Sequence, residues 1–109
     1  MATAAAQARL LSLTMHKSDL EFKLMSLAAQ KQGITKLSAD YAQMYSDAGG
    51  TGDLQDDAYC QYLQKQEEYV DGIQTQIETQ LQEVGAEIDS IEKLVQTNIK
   101  KEFKINFGS

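Results

Sequence analysis

Leu13, Leu20, Leu27, Ile34, Tyr41 and Ala48 recur at every seventh position, and the chain contains no proline to interrupt them. Leu24, Leu37 and Met44 fill positions three or four residues from members of that series. A seven-residue apolar repeat keeps one side of a helix facing a partner turn after turn, as in a coiled coil. Proline is the strongest helix breaker, because it lacks the backbone donor and clashes with the preceding turn. The chain is rich in Gln, Ala, Leu, Glu and Lys, all helix formers, and its apolar residues do not alternate as strands require until the last few positions.

A first helix is therefore expected over residues 3–47, with Thr3 as its cap. Gly33 lies inside it and costs ~1 kcal/mol relative to Ala, but the register passes through unbroken, so a continuous helix is expected. Gly49, Gly50 and Gly52 fall within residues 48–53, a turn in which Gly49 or Gly50 adopts the left-handed conformation that ends a helix and Thr51 or Asp53 caps the next one. The second helix is expected over residues 54–101. Asp56 and Asp57 lie in its first turn, where the positive end of the helix dipole favours them. Its stripe runs Val70, Ile73, Ile77, Leu81, Val84, Ile88, Ile91, Val95, Ile99, with a mean spacing near that of a straight helix. The fold class is thus all-α, a single long antiparallel two-helix hairpin resembling a coiled coil. Its expected core is Leu13, Leu20, Leu27, Ile34, Leu37 and Tyr41 against the Val70–Ile99 stripe. Residues 102–109 form a tail in which Phe103-Lys104-Ile105-Asn106-Phe107 alternates as a short strand would; a frayed helix end is the favoured alternative.

The first half of the first helix carries a second stripe, Ala8, Leu11, Met15, Ser18, Phe22, Met25 and Ala29, spaced alternately by three and four. At ~100° per residue, Leu20 and Phe22 differ by about 200°, so the two stripes lie on nearly opposite sides. A helix apolar on two sides needs two partners, and the second helix covers one. Ala8, Leu11, Met15, Phe22, Met25 and Ala29 are the expected assembly interface. A homo-oligomer is the leading expectation, with another protein's helix as the alternative partner. A broad single core face is the plainer reading of the same residues. The Met-rich character of the stripe suits an adaptable surface.

Charge bounds the partners further. The net charge is -6, which argues against nucleic acid, since its binding requires phosphates to be neutralised. Residues 1–48 sum to +1, residues 49–99 to -9 and residues 100–109 to +2, a distribution suited to antiparallel pairing of the halves. No run of ~18 apolar residues could span a membrane. The start lacks a basic region followed by an apolar core, so no cleaved secretory signal is expected; a bacterial cytoplasmic protein and one exported without a cleaved signal remain open. His16 has no second His or Cys at ligand spacing. Cys60 is the sole cysteine, so no intrachain disulfide or thiolate cluster can form, and its acidic neighbours disfavour the thiolate. The Asp53–Asp57 acids lack the calcium-loop pattern, and Gly49–Gly52 lacks the Gly-Lys-Ser/Thr of a phosphate loop. No catalytic residue, cofactor or metal site is expected, and the chain reads as non-enzymatic.

The opening Ala4-Ala5-Ala6-Gln7-Ala8-Arg9-Leu10-Leu11-Ser12-Leu13-Thr14, followed by Lys17-Ser18-Asp19-Leu20-Glu21-Phe22, resembles the start of a group of small bacterial helical proteins over residues 4–30. In outline the chain is similar to the needle and filament subunits of type III secretion systems. That likeness implies a helical hairpin exported without a cleaved signal and polymerising through both helices. Those subunits have a proline-containing turn, and this chain departs from them there. It also lacks the tryptophan of the small secreted hairpins with a Trp-X-Gly turn.

Overall fold

The computed structural model describes residues 2–106. They form a helical hairpin with two long helices, α1 (Ala2–Asp47) and α2 (Ala58–Asn106), joined through a short 3-10 turn at Leu54–Asp56. There is no strand among the described residues. α1 passes through Gly33 without a break, as the unbroken register requires.

The chain divides into two compact units: unit 1 is Met1–Phe22 with Glu78–Ser109, and unit 2 is Lys23–Ile77. In unit 1 the buried apolar side chains are Ala6, Leu13, Leu20, Val84 and Ile88, and in unit 2 they are Leu27, Leu63, Val70 and Ile77. The heptad leucines are thus the centre of the seam, and Leu20 is only 2% exposed. Ile34, Tyr41, Ile73, Leu81, Ile91 and Val95 are half-buried at its flanks, as a seam between just two helices dictates. Polar clasps flank it. In unit 1 the Thr3 hydroxyl donates to Glu102 Oε1 at 2.9 Å, and Arg9 pairs with Glu87 at 3.0 Å. In unit 2 Lys31 pairs with Asp71 at 2.6 Å, and that carboxylate raises the lysine's pKa, chiefly through the hydrogen bond.

Several boundaries differ from the sequence reading. Helix α1 already includes Ala2, so Thr3 is no cap; its hydroxyl is spent on Glu102. Helix α2 extends to Asn106, so residues 102–106 are neither strand nor tail; Phe107, Gly108 and Ser109 lie outside the described residues. Leu37 and Ile99, both expected in the core, are 50% and 48% exposed. Leu37 sits three residues past Ile34, and that offset turns it about 60° off the seam. Ile99 belongs to unit 1 with the α1 segment Thr3–Ala8, whose residues are mostly alanine and too short to cover a large side chain. Nearby, Asn98 has a buried amide nitrogen without a hydrogen-bond partner. Ala6 and Leu63 are buried core residues outside the expected set; Leu63 lies seven residues before Val70, a register signal that the looser Leu54–Tyr69 stretch obscured.

The chain reverses through a Schellman stop. Gly49 N–H donates to Ser46 O and Gly50 N–H to Tyr45 O, both at 3.0 Å, which satisfies the orphan carbonyls of the last turn. Gly49 supplies the left-handed residue at φ 73°, and Gly52 is also at positive φ. Gly50 is required for a different reason: a Cβ there would lie 2.5 Å from Tyr45 Cε1. The Tyr45 hydroxyl donates to Thr51 O at 2.9 Å, so its ring braces the turn from inside.

Two stability outcomes follow. Leu20→Ala should cost about 2–5 kcal/mol in urea unfolding, whereas half-exposed Leu37→Ala should cost well under half as much. Gly50→Ala should cost about 1–3 kcal/mol through overpacking against Tyr45. In a Tyr45→Ala background the same substitution should be close to neutral, a non-additivity that a double-mutant cycle measures.

Candidate functional site

The apolar side chains of α1 are spread so evenly around its axis that it has no net apolar side, whereas α2 has one. The reason is the second stripe. In unit 1 Leu11 and Met15 are each 63% exposed and Phe22 is 71% exposed, and Ala8 is exposed with them. In unit 2 Met25 is 69% exposed and Ala29 is also exposed. These residues are therefore no part of a broadened core face. Isolated exposed apolar residues are ordinary; here four large ones, Leu11, Met15, Phe22 and Met25, lie in helical register on one face.

Unit 2 carries a second feature that sequence spacing alone did not reveal. Leu37, Asp40, Tyr41, Met44 and Tyr59 line an open, mainly apolar groove beside the turn. A neighbouring depression shares Leu37 and Asp40 and adds Gly33 and Tyr69. The Tyr41 and Tyr59 rings are 4.8 Å apart at a 57° tilt, and Tyr59 stacks on Tyr62 at 6.3 Å. Asp57 holds this cluster in place. Its Oδ2 accepts from the Tyr41 hydroxyl at 2.8 Å, while Oδ1 accepts from the backbone N–H groups of Tyr59 at 2.9 Å and Cys60 at 3.2 Å. Asp57 is thus the N-cap of α2, and Asp53 caps the 3-10 turn by accepting from Gln55 N–H. The expectation that Asp57 lies within the first turn of the helix gives way to this cap, because the 3-10 turn moves the helix start to Ala58.

These bonds set the local titrations. The Tyr41 hydroxyl, then the Cys60 amide, hold the Asp57 carboxyl below the usual aspartate range; desolvation opposes them, and the Tyr59 amide adds the smallest lowering effect. The same hydrogen bond raises the Tyr41 pKa. Burial first, and the Asp57 charge second, push the Cys60 thiol up, so it is a poor nucleophile at neutral pH. His16 lies in a shallow depression of unit 1 with Arg9, Glu83 and Glu87. Among the described residues no group of three or more His, Cys, Asp or Glu side chains could hold a metal ion. No helix among them is long and apolar enough to cross a membrane.

The fold defines the class, an all-α helical hairpin. No protein-family model, curated protein or solved structure matches the chain. What it does has to be read from its own surfaces.

The Tyr41–Asp57 pair gives a signed pH dependence. Because the Asp57 pKa is lowered on folding, its contribution is present above the unfolded aspartate pKa, about 3.9, and is lost as pH falls through the folded value. Tyr41→Phe should shift the acid unfolding midpoint to higher pH and raise the Asp57 carboxyl pKa, as read by NMR titration.

Proposed function

We propose that this protein is a non-enzymatic structural subunit that self-associates by helical packing. Its assembly surface is the outward face of α1: Ala8, Leu11, Met15 and Phe22, continued along the helix by Met25 and Ala29. The observation that carries this reading is the exposure of four large apolar side chains in one three-four register on a helix whose other side is already used in the seam. Surface area supports it. The chain exposes 8194 Å², whereas a compact monomer of 12.1 kDa exposes about 6,000 Å². The excess is larger than the ~800 Å² per partner that a standard interface uses. A second copy is the occupant, because that surplus belongs to every copy and is relieved when copies pack together. A subunit of a secreted filament or needle-like assembly is one concrete form of this reading.

The test is size-exclusion chromatography with light scattering on the wild type and the Phe22→Glu/Met25→Glu double variant. The wild type should show mass rising with concentration. The double variant should stay monomeric, with helical content unchanged and Tm within a few degrees of wild type, since exposed positions contribute little to stability. An unchanged assembly state with a sharp loss of stability would mean that these residues serve the core. A wild type that stays monomeric at every concentration would contradict the reading outright.

A further inference from the structure

Met15, Met25 and Met44 are 63%, 69% and 61% exposed. Methionine is more often a core residue, where its flexible thioether fills gaps. Here the arrangement is reversed. Among the described residues the buried apolar side chains are alanine, leucine, valine and isoleucine, with no methionine. The thioethers are thus kept off the seam and set on the surfaces outside it. Two of them, Met15 and Met25, lie in the outward face of α1, on either side of Phe22. Leucine matches methionine closely in volume and apolar character, and Leu11 occupies the same stripe. Packing alone therefore gives no reason for methionine at both positions. What distinguishes the thioether is its chemistry: peroxide oxidises it to the sulfoxide, and a reductase reverses the change. The half-buried Cys60 is a poorer target, because burial and the Asp57 charge hold its thiol protonated.

We propose that Met15 and Met25 form a reversible oxidation site that releases the α1 face from self-association, an inference that rests on the self-association reading above. In a free copy both sulfurs face solvent. Each reacts with one molecule of peroxide: a sulfur lone pair takes one oxygen, the O–O bond breaks, the sulfur is oxidised and the peroxide is reduced to water. The product carries a strongly polar S=O group beside Leu11 and Phe22. Burying that group against an apolar partner face leaves its oxygen without a donor, which disfavours the contact. The hairpin itself is spared, because the oxidised side chains contribute nothing to the seam. A methionine sulfoxide reductase restores the thioether, with the oxygen leaving as water and a dithiol oxidised to its disulfide.

The test treats the dilute full chain with hydrogen peroxide until mass spectrometry shows conversion at Met15 and Met25, removes the peroxide, and measures association by sedimentation velocity. The oxidised protein should associate at least about tenfold more weakly than the untreated one. Its helicity should be unchanged and its Tm within a few degrees, since exposed positions contribute little to stability. Methionine sulfoxide reductases of both stereospecificities, with dithiothreitol, should restore association to within about threefold of the untreated protein. A Met15→Leu/Met25→Leu variant should associate as the wild type does and should not respond to peroxide, although Met1, Met44 and Cys60 remain in it. Oxidised protein that associates as tightly as before would overturn this proposal alone, as would oxidation that unfolds the hairpin or a leucine variant that still loses association in peroxide. A leucine variant that fails to associate before treatment would also overturn it, since the thioethers would then be needed for packing. A wild type that stays monomeric before any treatment would instead overturn the self-association reading, and this inference with it.

Discussion

The structure depends on one narrow apolar seam, the heptad leucines of α1 set against the Leu63–Ile88 stripe of α2. Two helices alone bury only one stripe each, so burial falls off quickly to either side of Leu13, Leu20 and Leu27. At ~25 cal/mol per Å² of apolar area removed from water, those few side chains carry the hydrophobic stabilisation. The exposed ion pairs Arg9–Glu87 and Lys31–Asp71 add little, because exposed pairs are screened and cost side-chain freedom.

The seam also explains why α1 is unusual. A helix that closes a hairpin needs one apolar side, and α1 has two. Retaining Leu11, Met15, Phe22 and Met25 in water is a cost that the hairpin itself does not require. The same logic applies at the turn, where Asp57 caps α2 and ties Tyr41 to the tyrosine cluster through the two oxygens of one carboxylate. That arrangement keeps the groove's aromatic wall ordered while Leu37 and Met44 remain open to solvent.

Much of this was legible in the sequence, for physical reasons that differ from residue to residue. The seven-residue recurrence of Leu13, Leu20 and Leu27, the absence of proline and the Gly49–Gly52 cluster are local signals, and they specify two helices and the reversal between them. The outward face of α1 was legible because Leu20 and Phe22 point in nearly opposite directions on any helix. The rest depended on tertiary neighbours. Periodicity places Ile99 in the stripe but cannot say that the α1 segment in its unit is mostly alanine. Capping preferences offer Thr51 or Asp53 as the start of α2 with Asp56 and Asp57 in its first turn, and the intervening 3-10 turn instead makes Asp57 the cap. The Tyr41–Asp57 bond spans sixteen residues and has no sequence signature. Extension of α2 through Phe103 to Asn106 overrides a local alternation that reads as strand, because the helix is already nucleated and adding residues to it is cheap.

The central claim is that the outward face of α1 becomes covered when copies meet. Oxidation of Met15 and Met25 by dilute peroxide, followed by mass spectrometry across a range of protein concentrations, reads that face directly. Both thioethers should oxidise readily in dilute solution, as their exposure demands, and become progressively protected as concentration rises. Oxidation rates at Met15 and Met25 that stay the same from dilute to concentrated solution would contradict the account.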